Sequence, residues 1–198
     1  MKYDHVKFFE DKLKELAKCK CVLDAGGGHP FQKYMAKYKD WFDKTKYETL
    51  DISEKYSPTI LGDIHSIPLE DKSIDGVLCL SVLEHLYDPK LAVKEMNRVL
   101  QDGGKLLAYT HFIYPYHARN GIYEDYYRFT ETALKDLFKD FSKVEIKKQG
   151  GYFRSMMFFM PFQSKLKIVI EPIAYVLDKL FKTENRSTTA GFYIYCEK

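Results

Sequence analysis

The sequence predicts an α/β fold: a Rossmann-like three-layer sandwich in which helices cover both faces of a mostly parallel sheet. Three observations predict it. Short apolar runs alternate with amphipathic stretches along the chain, the pattern of repeated βα units. The run DGVLCL (75–80) is continuously apolar after Asp75, as a strand buried on both faces must be. The first such run ends in three consecutive glycines, Gly26 to Gly28, whose entropic cost implies a need for bare backbone.

The elements follow in order. Val6, Phe9, Leu13 and Leu16 recur at helical spacing and predict a lead-in helix. Cys21 to Asp24 reads as a short buried strand ending at the glycines. Pro30 suits the first turn of a helix, with Phe31, Tyr34 and Tyr38 on one face. Tyr47 to Ile52 is a second strand, Thr59 to Leu61 a third and Asp75 to Leu80 a fourth. Asp88-Pro89 reads as a cap and first-turn proline before the stripe Leu91, Ala92, Met96, Val99. Gly103-Gly104 is expected to end that helix, and Lys105 to Thr110 to form the fifth strand. Thr130 caps a helix carrying Ala133, Leu134, Leu137 and Phe138; Lys143 to Lys148 and Gly191 to Cys196 are the last strands.

The 198 residues read as a single domain, 1–198, with 45% hydrophobic and 30% charged residues, ordinary for a globular protein. A net charge of +3 gives no strong pull toward nucleic acid. The first residues mix charges and lack the apolar core of a secretory signal, and no apolar run reaches spanning length. Cys19, Cys21, Cys79 and Cys196 lack the paired spacing of a zinc site. The expectation is a cytoplasmic, reduced, metal-free protein.

What the glycine loop binds is decided by the acids around it. A dinucleotide loop needs a third glycine where Phe31 stands, and Asp24 would repel a pyrophosphate while favouring an ammonium group. Asp51 ends the second strand, placed to accept hydrogen bonds from ribose hydroxyls. Asp63-Ile64 follows the third, offering an acceptor for an adenine amino group beside an apolar contact. Adenine, ribose and a charged amino-acid tail satisfy all three acids.

VLDAGGG, YETLDI, GDIHSIPLEDKSIDGVLCLSVLEHLYDP and RVLQDGGKLLAY together resemble the class I S-adenosylmethionine-dependent methyltransferases over about residues 20–150. The LEH stretch and short length look most like their small-molecule (type 11-like) branch, often found with polysaccharide or lipid biosynthesis. The resemblance implies a seven-stranded sheet with an antiparallel last strand, and S-adenosylmethionine as cofactor. It places Gly26, Gly27 and Gly28 against the methionine moiety. Asp24, Asp51, Ile52, Asp63, Ile64, Leu80 and Ser81 complete the expected cofactor set.

Methyl transfer from a sulfonium requires alignment of acceptor, carbon and sulfur, and a hydroxyl acceptor gains from a base. His85, after the fourth strand, and His111 and His117, after the fifth, are the candidate bases; each could equally pack or hydrogen-bond locally. Glu84 reads as a capping or structural acid. Tyr127 and Arg128, in an aromatic-rich lid stretch, are candidates for orienting the acceptor, although Asp125 and Arg128 could simply pair. Residues 152–182 form an apolar insert divided by Pro161 and Pro172. It reads as a helical cap or dimer face, or, more sharply, as a surface for lipid or a lipid-linked acceptor.

The leading expectation is a methyltransferase for a small-molecule acceptor, acting on an oxygen of a sugar- or lipid-related metabolite. Nucleic-acid methylation is disfavoured, because Ser81-Val82-Leu83-Glu84 stands where a base-flipping enzyme carries an Asn/Asp-Pro-Pro-aromatic signature. A nicotinamide-dependent dehydrogenase and a non-catalytic cofactor-binding module remain as alternatives.

Overall fold

A computed structural model describes residues 3–161 and 163–198. The helix α1 (Asp4–Leu16) precedes the strands β1 (Cys21–Ala25), β2 (Lys46–Asp51), β3 (Ile60–Leu61) and β4 (Ile74–Leu80). Then come α2 (Pro89–Val99), β5 (Leu100–His111), α3 (Glu131–Leu137), β6 (Lys143–Lys148), α4 (Tyr152–Met157), α5 (Gln163–Leu180) and β7 (Gly191–Glu197). The seven strands form one sheet in the order β3-β2-β1-β4-β5-β7-β6. Pairing is parallel from β3 to β5, and β7 runs antiparallel to both neighbours.

Each face of the sheet has its own apolar layer. Phe9, Leu13 and Leu16 of α1 pack with Met35, Tyr38, Phe42, Val22, Leu78 and Leu107 on one side. Ala92, Val93, Met96 and Val99 of α2 join Leu134 and Phe138 against Leu23, Val77, Cys79 and Leu106 on the other. Alternate residues of β1 and β4 therefore serve opposite layers, which explains the apolar runs Cys21–Leu23 and Val77–Leu80 within them. The strand order reverses between β1 and β4, and the crevice beyond their carboxyl ends is where such sheets take ligands.

Several boundaries differ from the sequence reading. Phe31 and Lys33 both adopt φ +52°, so no α-helix starts at Pro30; a 3₁₀ helix spans Lys33–Phe42, with Tyr34 facing solvent while Tyr38 is buried. In α1 the buried face uses His5 rather than Val6, and in α2 it uses Val93 rather than Leu91. Asp88 caps α2 by accepting from the Leu91 amide at 3.0 Å, with Pro89 in the first turn as expected. That helix stops at Val99, before the glycines, and Gly103, at φ +77°, bends the start of β5 instead.

Pro161 lies between α4 and α5, but Pro172 sits inside α5 without ending it. Its ring frees the carbonyl of residue 168, which is 88% exposed, so water can take up the lost partner. Asp178 of α5 is fully buried and accepts from the backbone amides of Gly151, Phe153 and Arg154 at 3.2, 2.9 and 3.2 Å. This carboxylate fixes α4 against α5, and Arg154 pairs with Glu171 beside it. Ile168, Val169, Ile173, Val176 and Leu180 point outward. The insert therefore presents an apolar outer face instead of only capping the sheet. Among the described residues no helix is long and apolar enough to cross a membrane.

Candidate active site

The glycine loop leaves the end of β1 and is shaped from below by Val82 and from the side by Asp24. A Cβ on Gly26 would stand 2.7 Å from Val82 Cγ1, and Gly26 itself needs φ +77°. One on Gly27 would stand 2.6 Å from Asp24 Oδ1. Only glycine fits both positions, and the backbone is left bare beside a carboxylate. The Gly26 amide donates to the Leu50 carbonyl at 2.7 Å, tying the loop to β2.

Asp24 is nearly buried, and its Oδ2 accepts the Tyr47 hydroxyl at 2.8 Å. Burial pushes its pKa up to about 6, the Tyr47 hydrogen bond opposing and Asp51 adding to the rise. Asp51 accepts from the amides of Gly28 (3.2 Å) and Ser53 (2.9 Å), so its carboxylate is locked at the loop's edge. Ile52, next to it, is 70% exposed, an apolar side chain left facing the crevice edge. Asp63 Oδ1 accepts from the His65 amide at 2.9 Å and meets His65 Nδ1 at 2.6 Å. Ile64 is buried in the core. Leu80 is half-buried, and Ser81, at φ +57°, turns the chain out of β4 while its amide donates to the Tyr109 carbonyl.

Two residues beyond Val82 the second half of the site begins. The 3₁₀ turn Leu83–His85 buries Glu84 completely. Glu84 Oε2 accepts the Thr110 hydroxyl at 2.8 Å, while Oε1 has no hydrogen-bond partner among the described residues and stands 3.4 Å from His111 Nε2. Burial raises the Glu84 pKa to about 7. Burial lowers His111 to about 3, with His117, Arg128 and His85 adding to the fall.

The lid stretch after β5 folds back onto this turn. The amides of Tyr126 and Tyr127 donate to the Glu84 carbonyl at 2.8 and 3.2 Å, and His85 Nδ1 meets the Glu124 carbonyl at 2.6 Å. The three candidate histidines thereby meet: the ring centroids of His85 and His111 lie 4.8 and 5.1 Å from that of His117. Tyr114 stacks on His111 at 3.9 Å.

Arg128 donates to both oxygens of Asp125 and to the carbonyls of Tyr114, Pro115 and Tyr127. All five of its N–H groups are used inside the lid, so any part it has in acceptor binding is through the lid's shape. Asp125 also accepts from the His117 amide at 2.8 Å. Its carboxyl is held well below the usual range, chiefly by hydrogen bonds from Arg128. Tyr127 is partly exposed and donates to the Tyr87 carbonyl at 3.0 Å.

Sequence reasoning passed over Glu84 and Asp125 as structural acids and left out Tyr47 and Thr110. An acid directly after a continuously apolar strand, as in CLSVLEH, is the signal that marks Glu84. The expectation of no metal-ligand cluster also changes here. One ligand atom each from Glu84, His85 and His117 lies within 4.8 Å of the other two, a grouping that only the folded lid creates.

Comparison with known proteins agrees with this fold. Residues 23–108 match a family described as a methyltransferase domain. A demethylmenaquinone methyltransferase from Staphylococcus haemolyticus is 28% identical over 130 residues, covering 66% of this chain and 50% of that protein. The chain spans half or less of the length of the first curated relatives it matches. An S-adenosylmethionine-dependent methyltransferase from Archaeoglobus fulgidus superposes with a TM-score of 0.61 at 16% identity, covering 99% of this chain and all of that one. Phosphoethanolamine N-methyltransferase 2 of Haemonchus contortus, solved with S-adenosyl-L-methionine, gives 0.63 at 15% identity over 97% of this chain and 52% of that one. The residues here fit such a cofactor. The cradle that a Cβ on Gly27 would fill, next to an acid and without a lysine or arginine in residues 24–30, suits a cationic amino-acid tail rather than a phosphate.

Proposed function

We propose that this chain, a member of the class I S-adenosylmethionine-dependent methyltransferases of the type 11 branch, transfers a methyl group to a hydroxyl of a small-molecule acceptor. The observation that carries the reading is the convergence of Glu84, His85, His111 and His117 one short turn from the glycine loop, with Val82 touching both.

When bound, the cofactor supplies an electrophilic methyl carbon on a cationic sulfur. Gly26, Gly27 and Gly28 with Asp24 hold its amino-acid tail, Asp51 its ribose hydroxyls, and Asp63 its adenine amino group. The acceptor enters under the lid, and its hydroxyl proton passes to the Glu84–histidine cluster as the oxygen takes the methyl carbon. The cofactor held by these residues would give up its methyl carbon and leave as a neutral thioether, so the positive charge would end on the released proton. The lid pinned to the Glu84 carbonyl excludes water from this step.

Two measurements test the reading. Calorimetric titration with S-adenosylmethionine should give micromolar binding that Asp51→Ala abolishes. Incubation with methyl-labelled cofactor and host extract should yield a labelled small molecule, lost in His117→Ala with cofactor binding retained. Cofactor binding with no labelled product in any extract would favour a non-catalytic binding module instead.

The outer face of α5 favours a second, narrower reading: an acceptor carried on lipid. Ile168, Val169, Ile173 and Val176 are exposed, and Lys165 and Lys179 stand near the two ends of the helix. Such a face suits an anionic interface. Vesicles containing anionic lipid should float the protein, and removal of 163–180 should abolish flotation; recovery independent of lipid sinks this reading.

A further inference from the structure

Glu84 Oε1 is a fully buried carboxylate oxygen without a hydrogen-bond partner among the described residues, and the His111 imidazole that faces it does not supply one. Tyr109 donates its hydroxyl proton to Gln149 Oε1 at 2.5 Å, so its oxygen accepts from His111 Nδ1, 3.1 Å away. A neutral His111 with its proton on Nδ1 presents a lone pair at Nε2, and that atom faces Glu84 Oε1 at 3.4 Å. With Glu84 ionised, two acceptors therefore look at each other across a buried gap.

The other two imidazoles are oriented alike. His85 Nδ1 lies 2.6 Å from the Glu124 carbonyl. His117 Nδ1 has the Pro115 carbonyl at 3.1 Å and Asp125 Oδ2 at 3.3 Å, both nearer than the Arg128 nitrogen at 3.4 Å. Oxygen acceptors at Nδ1 fix the proton there and leave Nε2 free on both rings. This is how metal-ligating histidines are held: the outer nitrogen bound to a carbonyl or carboxylate, the inner lone pair aimed at the ion.

We propose that Glu84, His85 and His117 form a binding site for one divalent transition-metal ion of the zinc or cobalt type. Two imidazoles and one carboxylate are a ligand set such ions accept while keeping an open position. The ligand atoms lie within 4.8 Å of one another, so side-chain rotations of about 1 Å bring them to the roughly 2.0–2.2 Å bonds of such an ion. The Arg128 charge near His117 is offset by its double contact with Asp125. A position on the ion left open by these three ligands would let an acceptor oxygen bind and lose its proton more readily. In this form the imidazoles act through the ion rather than as bases. That catalytic use rests on the proposed methyl transfer; the metal site itself does not.

Untagged protein, stripped with chelator and titrated with Co²⁺, tests the site. Wild type should bind one ion per chain and develop the visible absorption of low-coordinate cobalt, displaced by Zn²⁺. His85→Ala and His117→Ala should each weaken binding by at least tenfold. Glu84→Gln should do the same while keeping S-adenosylmethionine affinity within about twofold, which shows that the variant is folded. Absence of stoichiometric binding in wild type, or equal binding in all variants, overturns the proposal. Cofactor binding reports separately on the methyltransferase reading, so the two can fail independently.

Discussion

The Tyr47 hydroxyl reaches the Asp24 carboxylate at 2.8 Å and is the only hydrogen-bond donor to that side chain among the described residues. Asp24 is protonated below about pH 6, where it offers no charge to an ammonium group. Affinity for S-adenosylmethionine should therefore rise as pH increases through about 6 and level off above it. Tyr47→Phe removes a group that favours the charged carboxylate, so the midpoint should move upward and affinity at neutral pH should fall. Asp24→Asn should bind weakly with little pH dependence across this window. Calorimetry from pH 5 to 8 reads all three.

Gly27→Ala puts a methyl group 2.6 Å from Asp24 Oδ1, where one of the two must move. Cofactor affinity should drop at least tenfold. The thermal midpoint should change by only a few degrees, because the loop lies outside both apolar layers. Full cofactor affinity in this variant would remove the glycine loop from the site.

Arg128→Lys cannot reproduce five N–H contacts with a single ammonium group. The lid should open more often, so hydrogen exchange and proteolysis over 112–128 should speed up by tenfold or more. The KM for the acceptor should rise while cofactor affinity stays near wild type. Unchanged exchange in the lid would show that the clamp does not hold it.

His5 is buried against Tyr3 and Tyr193, and burial, reinforced by Arg154, Lys147 and Lys179, lowers its pKa to about 3. The unfolded chain takes up this proton below about pH 6.5 and the folded chain does not. The stability that depends on a neutral His5 is thus complete above pH 6.5 and is lost as pH falls from there toward 3, by up to about 1.4 kcal/mol per pH unit. His5→Phe, which keeps a ring in place, should lose less stability between pH 7 and 5 in urea unfolding.

The alternation of strands and helices, the parallel core and the acids at successive strand ends were all legible in order along the chain. They are local: each rests on a run of neighbouring residues and on the two-sided burial of a central strand, which writes itself into the sequence as DGVLCL. Boundaries set by backbone angles were less legible. Phe31 and Lys33 adopt a left-handed conformation that their side chains do not announce, and Pro172 stays inside a helix because its freed carbonyl lies at an exposed residue.

The half of the site proposed to perform chemistry was decided by tertiary structure. His117 stands 32 positions after His85, and nothing in that spacing brings them within reach. The lid does so, anchored by the Glu84 carbonyl and braced by the Asp125–Arg128 pair. The role of Glu84 follows from its complete burial and its one unpartnered oxygen, and both depend on what the lid covers. By itself the sequence determined the fold, the family resemblance and the positions of the acids proposed to hold the cofactor, because these follow from strand order and strand-end chemistry. Only the folded chain gathered three histidines and a glutamate around one point, because their convergence depends on a long-range loop closing over the sheet.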